Sequence, residues 1–418
     1  MTESTTGSTQ LRDELAPSWI DEITIESLLH PQDTTTRLRE EAPLAWIPAL
    51  GTWAATSWDL CKEIANDTEN FEAVSSPLAT RVFGDPNVTS AEGDLHTHLR
   101  NAVATPVSAR AIRGQIESRM RPTAKGLIEK LRTQGGTAEL LVDYFEPISV
   151  RSVADSYGFF DVETDTLRRW FHQLKTGSTN MARNPDGSFA NPDGFALTDG
   201  AREEIREYLE GKAKEDTEDP NNVIARWIHA ESTDGQTRSI DALVPSMLIV
   251  LLGGLQEPGH ALGSTFFGLT TRPEQLQRVI ADKTLLPKAI SEGLRWMSPL
   301  YAGPARAAKH DLVLQGQQIH KGDIMRLVYG SANHDSKYYE HGELYDLDRY
   351  AHPHLAFGDG RHSCVGSALG PQIARVGLEE LFAAFPNISV DPARPITSAG
   401  WPFHGPTALN VLFNDDAR

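Results

Sequence analysis

Basic residues are outnumbered, cysteine is nearly missing, and no apolar run is long enough to stand alone in a bilayer. The chain has 418 residues, with 39 Lys+Arg against 57 Asp+Glu, a formal charge of −18. That balance excludes nucleic acid as the main partner and argues against an anionic membrane surface. Two cysteines, Cys61 and Cys364, cannot build a disulfide framework and point to a reducing compartment. The N-terminal MTESTTGSTQLRDELAP lacks the basic-then-apolar profile of a secretory signal. The most apolar stretch, Leu243–Leu255, contains Pro245 and two glycines and is too short to span a membrane. It reads as a buried core helix, and the chain as cytoplasmic, with no membrane and no nucleic-acid partner.

What is present suits a large enzyme fold. Hydrophobic residues make up 39% of the chain and tryptophan occurs 8 times, ample for a core and too much for a disordered chain. Apolar and charged residues mix at helical spacing over Arg37–Glu41, Asp59–Asn66, Leu95–Ala109, Ile112–Gln134, Glu163–Lys175 and Ala201–Glu215. Strand-like pieces cluster at Leu44–Ala55 and Ala305–Leu327, where Gly316 and Lys321-Gly322 supply turns. Two Asn-Pro-Asp-Gly turns mark Asn184–Phe195 as a loop, and a helix is expected from Gly366 to Ala384. No interior linker is rich in Gly or Ser. The expected architecture is mainly α (α+β): a disordered lead-in over 1–16, then one large helical domain with a small β region over 17–418.

The most informative segment is His352–Gly366, HPHLAFGDGRHSCVG. Cys364 stands just before the expected helix, where a helix N-terminus and backbone N–H groups would lower a thiol pKa. Glycines at 358, 360 and 366 allow a tight loop and close approach of a flat ligand. A lone thiolate is the axial ligand that an oxygen-splitting haem uses. Two other readings stand beside it. Cys364 could be an inert core thiol, or His352, His354, His362 and Cys364 could bind zinc.

The string F-G-D-G-R-H-S-C-V-G resembles the haem-binding loop of the cytochrome P450 monooxygenases at Phe357, Gly358, Gly360, His362, Cys364 and Gly366. The resemblance implies the P450 fold, with haem b buried between the central helix and the cysteine loop. It implies that Cys364 is the iron ligand, that Phe357 shields it within the turn containing Gly358, and that His362 faces a haem propionate. Other motifs fall where the family has them. Glu292 and Arg295 form an E-x-x-R, with Arg349 as the candidate third member of a structural network. Glu203–Arg206 repeats the spacing without that placement. His96 and Arg100, one helical turn apart, and Arg306 match the family's propionate-binding positions.

The central helix departs from the family's usual acid–alcohol pair. Its run is Gly253-Gly254-Leu255-Gln256-Glu257-Pro258-Gly259-His260, with Gln256 in place of the acid and Glu257 in place of the alcohol. Pro258 lacks an N–H, so the Gly254 carbonyl loses its helical partner and the helix is expected to kink or open there. Glu257 becomes the substitute proton carrier, beside a groove at Gly253–Glu257 for O2 and water, where the freed Gly254 carbonyl can hold a water.

The QEPGH variant, with Leu38–Ala45, Asn70–Val74, Glu146–Ser152, Ala289–Pro299 and Tyr329–Asp335, resembles the bacterial guaiacol O-demethylases from about Trp19 to Val411. Such enzymes hydroxylate an aryl methyl ether, and the hemiacetal collapses to a catechol and formaldehyde. Their electrons come from NADH through a separate reductase carrying FAD and a [2Fe–2S] cluster. The implied partners are therefore a small aromatic ether, O2 and that reductase. The matched pocket positions are Phe83, Ile249, Gly253, Leu300 and Phe403, apolar walls that suit a single aromatic ring. Ser178 stands where the guaiacol enzyme has a phenylalanine, so a 4-alkylguaiacol is expected to fit. Two alternatives are hydroxylation of another small aromatic, such as a methoxybenzoate, and a non-catalytic haem-thiolate sensor. A methoxybenzoate needs a cation, and none of the matched positions is cationic.

Overall fold

The apolar stretch at Leu243–Leu255 becomes the middle of one long helix, Ile240–Thr270. In the computed structural model, residues 17–182, 184, 187–215, 224 and 239–413 are described, with the side chains of Leu255 and Gln256 left out. The expected lead-in over 1–16 and the Gln256 side chain lie outside the described residues. Ser239 caps the long helix by accepting from the Ala242 N–H, which satisfies one of the orphan donors of its first turn. By length and composition this helix could cross a bilayer. It is instead packed by the helices Glu146–Ser156, Leu286–Trp296 and Leu369–Ala384. A helix apolar on every side needs that kind of burial.

The helix continues through Pro258, where the sequence led us to expect a kink or an opening. The neighbouring helix supplies the reason. A Cβ at Gly254 would come within 2.7 Å of Val153 Cγ1, so glycine lets the two backbones approach closely. At that approach Ser149 Oγ donates to the Gly254 carbonyl at 3.4 Å. The carbonyl orphaned by Pro258 is thus given one partner by the protein itself.

Three buried clusters surround this helix and the sheets. The main sheet runs in the order Leu44–Ile47, Thr52–Ala55, Ile324–Leu327, Arg306–Ala308, Phe71–Ala73. The first two strands form an antiparallel hairpin, as the Leu44–Ala55 pattern predicted. Thr52–Ala55 then pairs parallel with Ile324–Leu327, which sequence periodicity alone does not show. Gly316 and Gly322 have φ of 76° and 88°, turn conformations that glycine adopts without strain. The helices extend or divide relative to expectation. Ile112–Gln134, for example, separates into Ala109–Arg113, a π turn at Ile116–Met120 and Arg121–Arg132.

The fold's strongest buried ionic device lies at Glu292. Its carboxylate takes two bonds from Arg295, at 2.7 and 2.8 Å, one from Arg349 at 3.0 Å, and the Asp346 N–H. Arg295 and Arg349 also donate to backbone carbonyls of the 333–344 segment. The network locks the polypeptide that leads into the cysteine loop. By contrast Arg206 pairs with Asp241 and Glu210 at the surface.

Candidate active site

The cysteine loop is built by hydrogen bonds and by glycine. Cys364 N–H donates to the Phe357 carbonyl at 2.8 Å, closing the turn. Gly358 and Gly360 have φ of 69° and 71°, and a Cβ at Gly360 would lie 2.5 Å from the Ala65 carbonyl oxygen. Only glycine meets both demands at 360. Cys364 caps a short 3-10 turn, Val365–Ser367, its sulfur accepting the Gly366 N–H at 3.2 Å. The long helix Leu369–Ala384 follows.

Cys364 is exposed as a residue, yet burial pushes its thiol up to about 11. These two facts agree if it faces an internal chamber rather than bulk water. The expected low pKa is therefore corrected: one N–H does not offset the desolvation. An iron at this sulfur would deprotonate it outright. The Glu257 carboxylate also acts on this thiol, so the central helix and the cysteine loop face each other. Cys61, the other cysteine, is a fully buried core thiol bonded to the Ala55 carbonyl.

Four nitrogen-bearing side chains converge beside the loop. The rings of His96 and His362 lie 4.2 Å apart. Arg100 donates to the Ser363 carbonyl at 2.8 Å. Arg306 is buried, 4% exposed, and donates to the carbonyl of its neighbour Ala305. Burial, then the charges of Arg306 and His96, hold His362 down to about 4. Burial and Arg100 lower His96 likewise. His96 Nε2 and His362 Nδ1 are buried without a hydrogen-bond partner. Buried polar nitrogens without partners cost free energy, and the two guanidinium groups beside them call for an anion. The set fits a flat group carrying two carboxylates and a metal for one thiolate, which is haem.

The zinc reading fails on placement. The His352 ring packs 5.0–5.3 Å from Trp58, Tyr338 and Tyr339, and His354 sits against Phe357. Among the described residues no three His, Cys, Asp or Glu side chains are grouped to hold a metal ion.

On the central helix, partly accessible residues recur every fourth position at Pro245, Ile249, Gly253 and Glu257, while most others are buried. Four-residue spacing places them on one face, and Glu257 on that face acts on the Cys364 thiol. A Cβ at Gly253 would touch Glu257 Oε2 at 3.3 Å. Glu257 Oε2 is buried and has no hydrogen-bond partner, and burial raises its carboxyl to about 8. Gly254 is turned toward Val153 instead. Leu300 and Phe403 are brought together as a β-bridge. Phe83 ends the helix Pro77–Phe83, and a Cβ at the following Gly84 would meet Pro245 at 3.2 Å. Ser178 closes the helix Thr164–Ser178, its hydroxyl turned back onto the Lys175 carbonyl at 2.9 Å.

Sequence reasoning missed three participants. Ser149 holds the Gly254 carbonyl. Lys175 acts electrostatically on both Glu257 and buried His260. Glu92 touches the histidine and arginine side of the loop; its signal was an acid at the start of a helix, four residues before His96.

The cytochrome P450 family model matches residues 190–398, half of the chain. The C-19 steroid 1alpha-hydroxylase of Sorangium cellulosum is 28% identical over 384 residues, covering 90% of this chain and 93% of its own. The 6-deoxyerythronolide B hydroxylase of Saccharopolyspora erythraea is 26% identical, over 85% and 89% of the two chains. The ligand-free structure of cytochrome P450 TbtJ1 superposes with a TM-score of 0.80 at 25% identity, covering 91% of this chain and 96% of that one. Substrate-free CYP109E1 from Bacillus megaterium gives 0.82 at 21% identity, covering 93% and 99%. The chain belongs to the cytochrome P450 family, and its fold and loop are those of a haem-thiolate monooxygenase. The two hydroxylases are named for different substrates, so family membership fixes the reaction class and leaves the substrate to the pocket.

Proposed function

We propose that this P450 O-demethylates a methoxy-substituted phenol, guaiacol or a 4-alkylguaiacol, to a catechol and formaldehyde. It takes O2, and electrons from NADH through a separate FAD and [2Fe–2S] reductase. The observation that carries this reading is the Ile249–Gly253–Glu257 face, a narrow wall that ends on a buried acid opposite Cys364. Gly253 leaves room for a flat ring, while Phe83, Ile249, Leu300 and Phe403 supply apolar surface that excludes water.

Haem, when bound, supplies the oxidation that inserts one atom of O2 into the methyl C–H, leaving a hemiacetal that breaks down to the phenol and formaldehyde. Cys364 would hold the iron within the Phe357–Gly358 turn. His96, Arg100, Arg306 and His362 would hold the propionates. Glu257 keeps its proton at neutral pH, because burial raises its carboxyl to about 8, and a neutral acid can both donate and be recharged. The test is NADH consumption with a matched reductase across a panel of methoxyarenes. One formaldehyde per NADH with guaiacols supports the reading, whereas turnover without formaldehyde sinks it.

A second reading gains one observation. Lys175 brings a positive charge to bear on Glu257 and His260 and is the candidate cation for a ring carboxylate, one that the sequence positions had not offered. Lys175→Met decides between them. Selective loss of methoxybenzoate binding, with guaiacol binding intact, would favour a methoxybenzoate as substrate.

A further inference from the structure

We infer that Glu92 is the positioning residue that assembles the propionate cradle. Glu92 precedes the helix Gly93–Ala104, which carries His96 and Arg100. Its Oε1 accepts the Ala73 N–H at 2.7 Å and lies 3.3 Å from His362 Nε2, while Oε2 accepts from Arg361 at 3.1 Å. Each contact reaches a different part of the cradle. Ala73 is the register partner of Arg306 across the antiparallel strands, so the bond to its N–H fixes the strand opposite that arginine. Arg361 and His362 belong to the cysteine loop. One carboxylate therefore joins the helix of His96 and Arg100, the strand beside Arg306, and the loop of His362.

A negative charge beside a site for carboxylates opposes the ligand by Coulomb repulsion alone. Its presence is explained by orientation. By engaging Nε2 of His362, Glu92 fixes the direction of a ring whose Nδ1 is buried without a hydrogen-bond partner. The His362 side chain is 3% exposed, so a ring released from Glu92 has no solvent to turn toward and would take its direction from packing. Although burial opposes it, bonds from Ala73 and the His362 and Arg361 side chains hold the Glu92 carboxyl below its ordinary range, so all three contacts are made by the charged form.

The inference rests on the cradle holding the propionates, and the experiment separates the two. Haem loss from the purified holoprotein to excess apomyoglobin is measured for wild type, Glu92→Ala, Glu92→Gln and Arg306→Gln. Removing hydrogen bonds to a charged group should speed haem loss by about tenfold or more in Glu92→Ala. Glu92→Gln retains an acceptor for Ala73 and the reach to His362, and should recover most of the retention. The resonance-Raman propionate bending band should shift in Glu92→Ala and return in Glu92→Gln. A purely structural role would leave that band unmoved in every folded variant, and that result would overturn the inference, as would unchanged haem loss in Glu92→Ala. If Glu92→Ala does not fold, Glu92→Asp, one methylene shorter, takes its place with the same expectation. If Arg306→Gln also leaves haem loss unchanged, the cradle assignment itself fails. If only Arg306→Gln accelerates it, Glu92 alone is overturned.

Discussion

Replacing Glu257 by glutamine keeps the size and polarity of the side chain but removes its titration. Glu257 Oε2 is buried with no hydrogen-bond partner, and burial raises the carboxyl from 4.5 to about 8. In the unfolded chain the acid ionises near its ordinary value. Between about pH 4.5 and 8 the native state therefore binds more protons than the unfolded state, and stability falls as pH rises through that window. At 1.36 kcal/mol per pH unit, the gap amounts to about 5 kcal/mol. That is an upper bound, because the face toward the chamber is reachable by water. Glu257→Gln should flatten this slope: near parity with wild type at about pH 5, and a relative gain of several kcal/mol by about pH 9. Urea unfolding of the holoprotein, followed by tryptophan fluorescence across that range, makes the measurement. The catalytic consequence is separate. Substrate-induced spectral shifts should survive, while formaldehyde per NADH falls and peroxide leak rises. Parallel stability curves for the two proteins would refute the buried-acid argument, and unchanged coupling would clear Glu257 of proton delivery.

Three further outcomes are expected. Cys364→Ala should abolish the thiolate-type absorption of the reduced, carbon monoxide-treated protein while leaving the fold intact by circular dichroism. Glu292→Gln weakens bonds from two arginines in a buried network and should destabilise the protein by about 3–5 kcal/mol, read as a lowered thermal midpoint and poor haem incorporation. Ser178→Phe should shift binding selectivity from 4-propylguaiacol toward guaiacol by roughly 1–3 kcal/mol; equal losses for both would place Ser178 outside the pocket.

Much of this was legible in the residues because it depends on local chemistry. The hairpin at Leu44–Ala55 follows from apolar residues flanking Pro48 and Gly51, and the cysteine loop from three glycines around one thiol. The Glu292–Arg295–Arg349 network was visible as spacing and order. What was hidden depends on partners far apart in the chain. Nothing near Gly254 announces that Ser149, over a hundred residues earlier, will donate to its carbonyl. The thiol pKa was misjudged for a related reason: a helix N-terminus is a sequence-level feature, whereas the desolvation that outweighs it exists only once the chamber walls close. Lys175 was overlooked because its charge acts across helices, on Glu257 and His260, rather than along its own.

The buried ionisable groups of this protein divide by whether the chain completes them. Glu292 is surrounded by donors from Arg295, Arg349 and Asp346, and the half-buried Arg121 is met by Glu117, Glu379 and Glu380. These sets close on themselves and hold helices and loops together. Around the chamber the arithmetic does not close. His96 Nε2, His362 Nδ1 and Glu257 Oε2 are buried and unmatched; Arg306 sits in the interior on a neighbouring carbonyl, and the Cys364 sulfur has one N–H. Because an unmatched buried polar atom costs about 1–3 kcal/mol, a chain selected for stability alone would remove several of them. That three of them lie around the cysteine loop and the central helix, imidazole nitrogens at one and an acid on the other, is what marks the site off from the scaffold. The same test sorts Glu92 with the site: its own contacts are complete, but one of them is to His362, which is not.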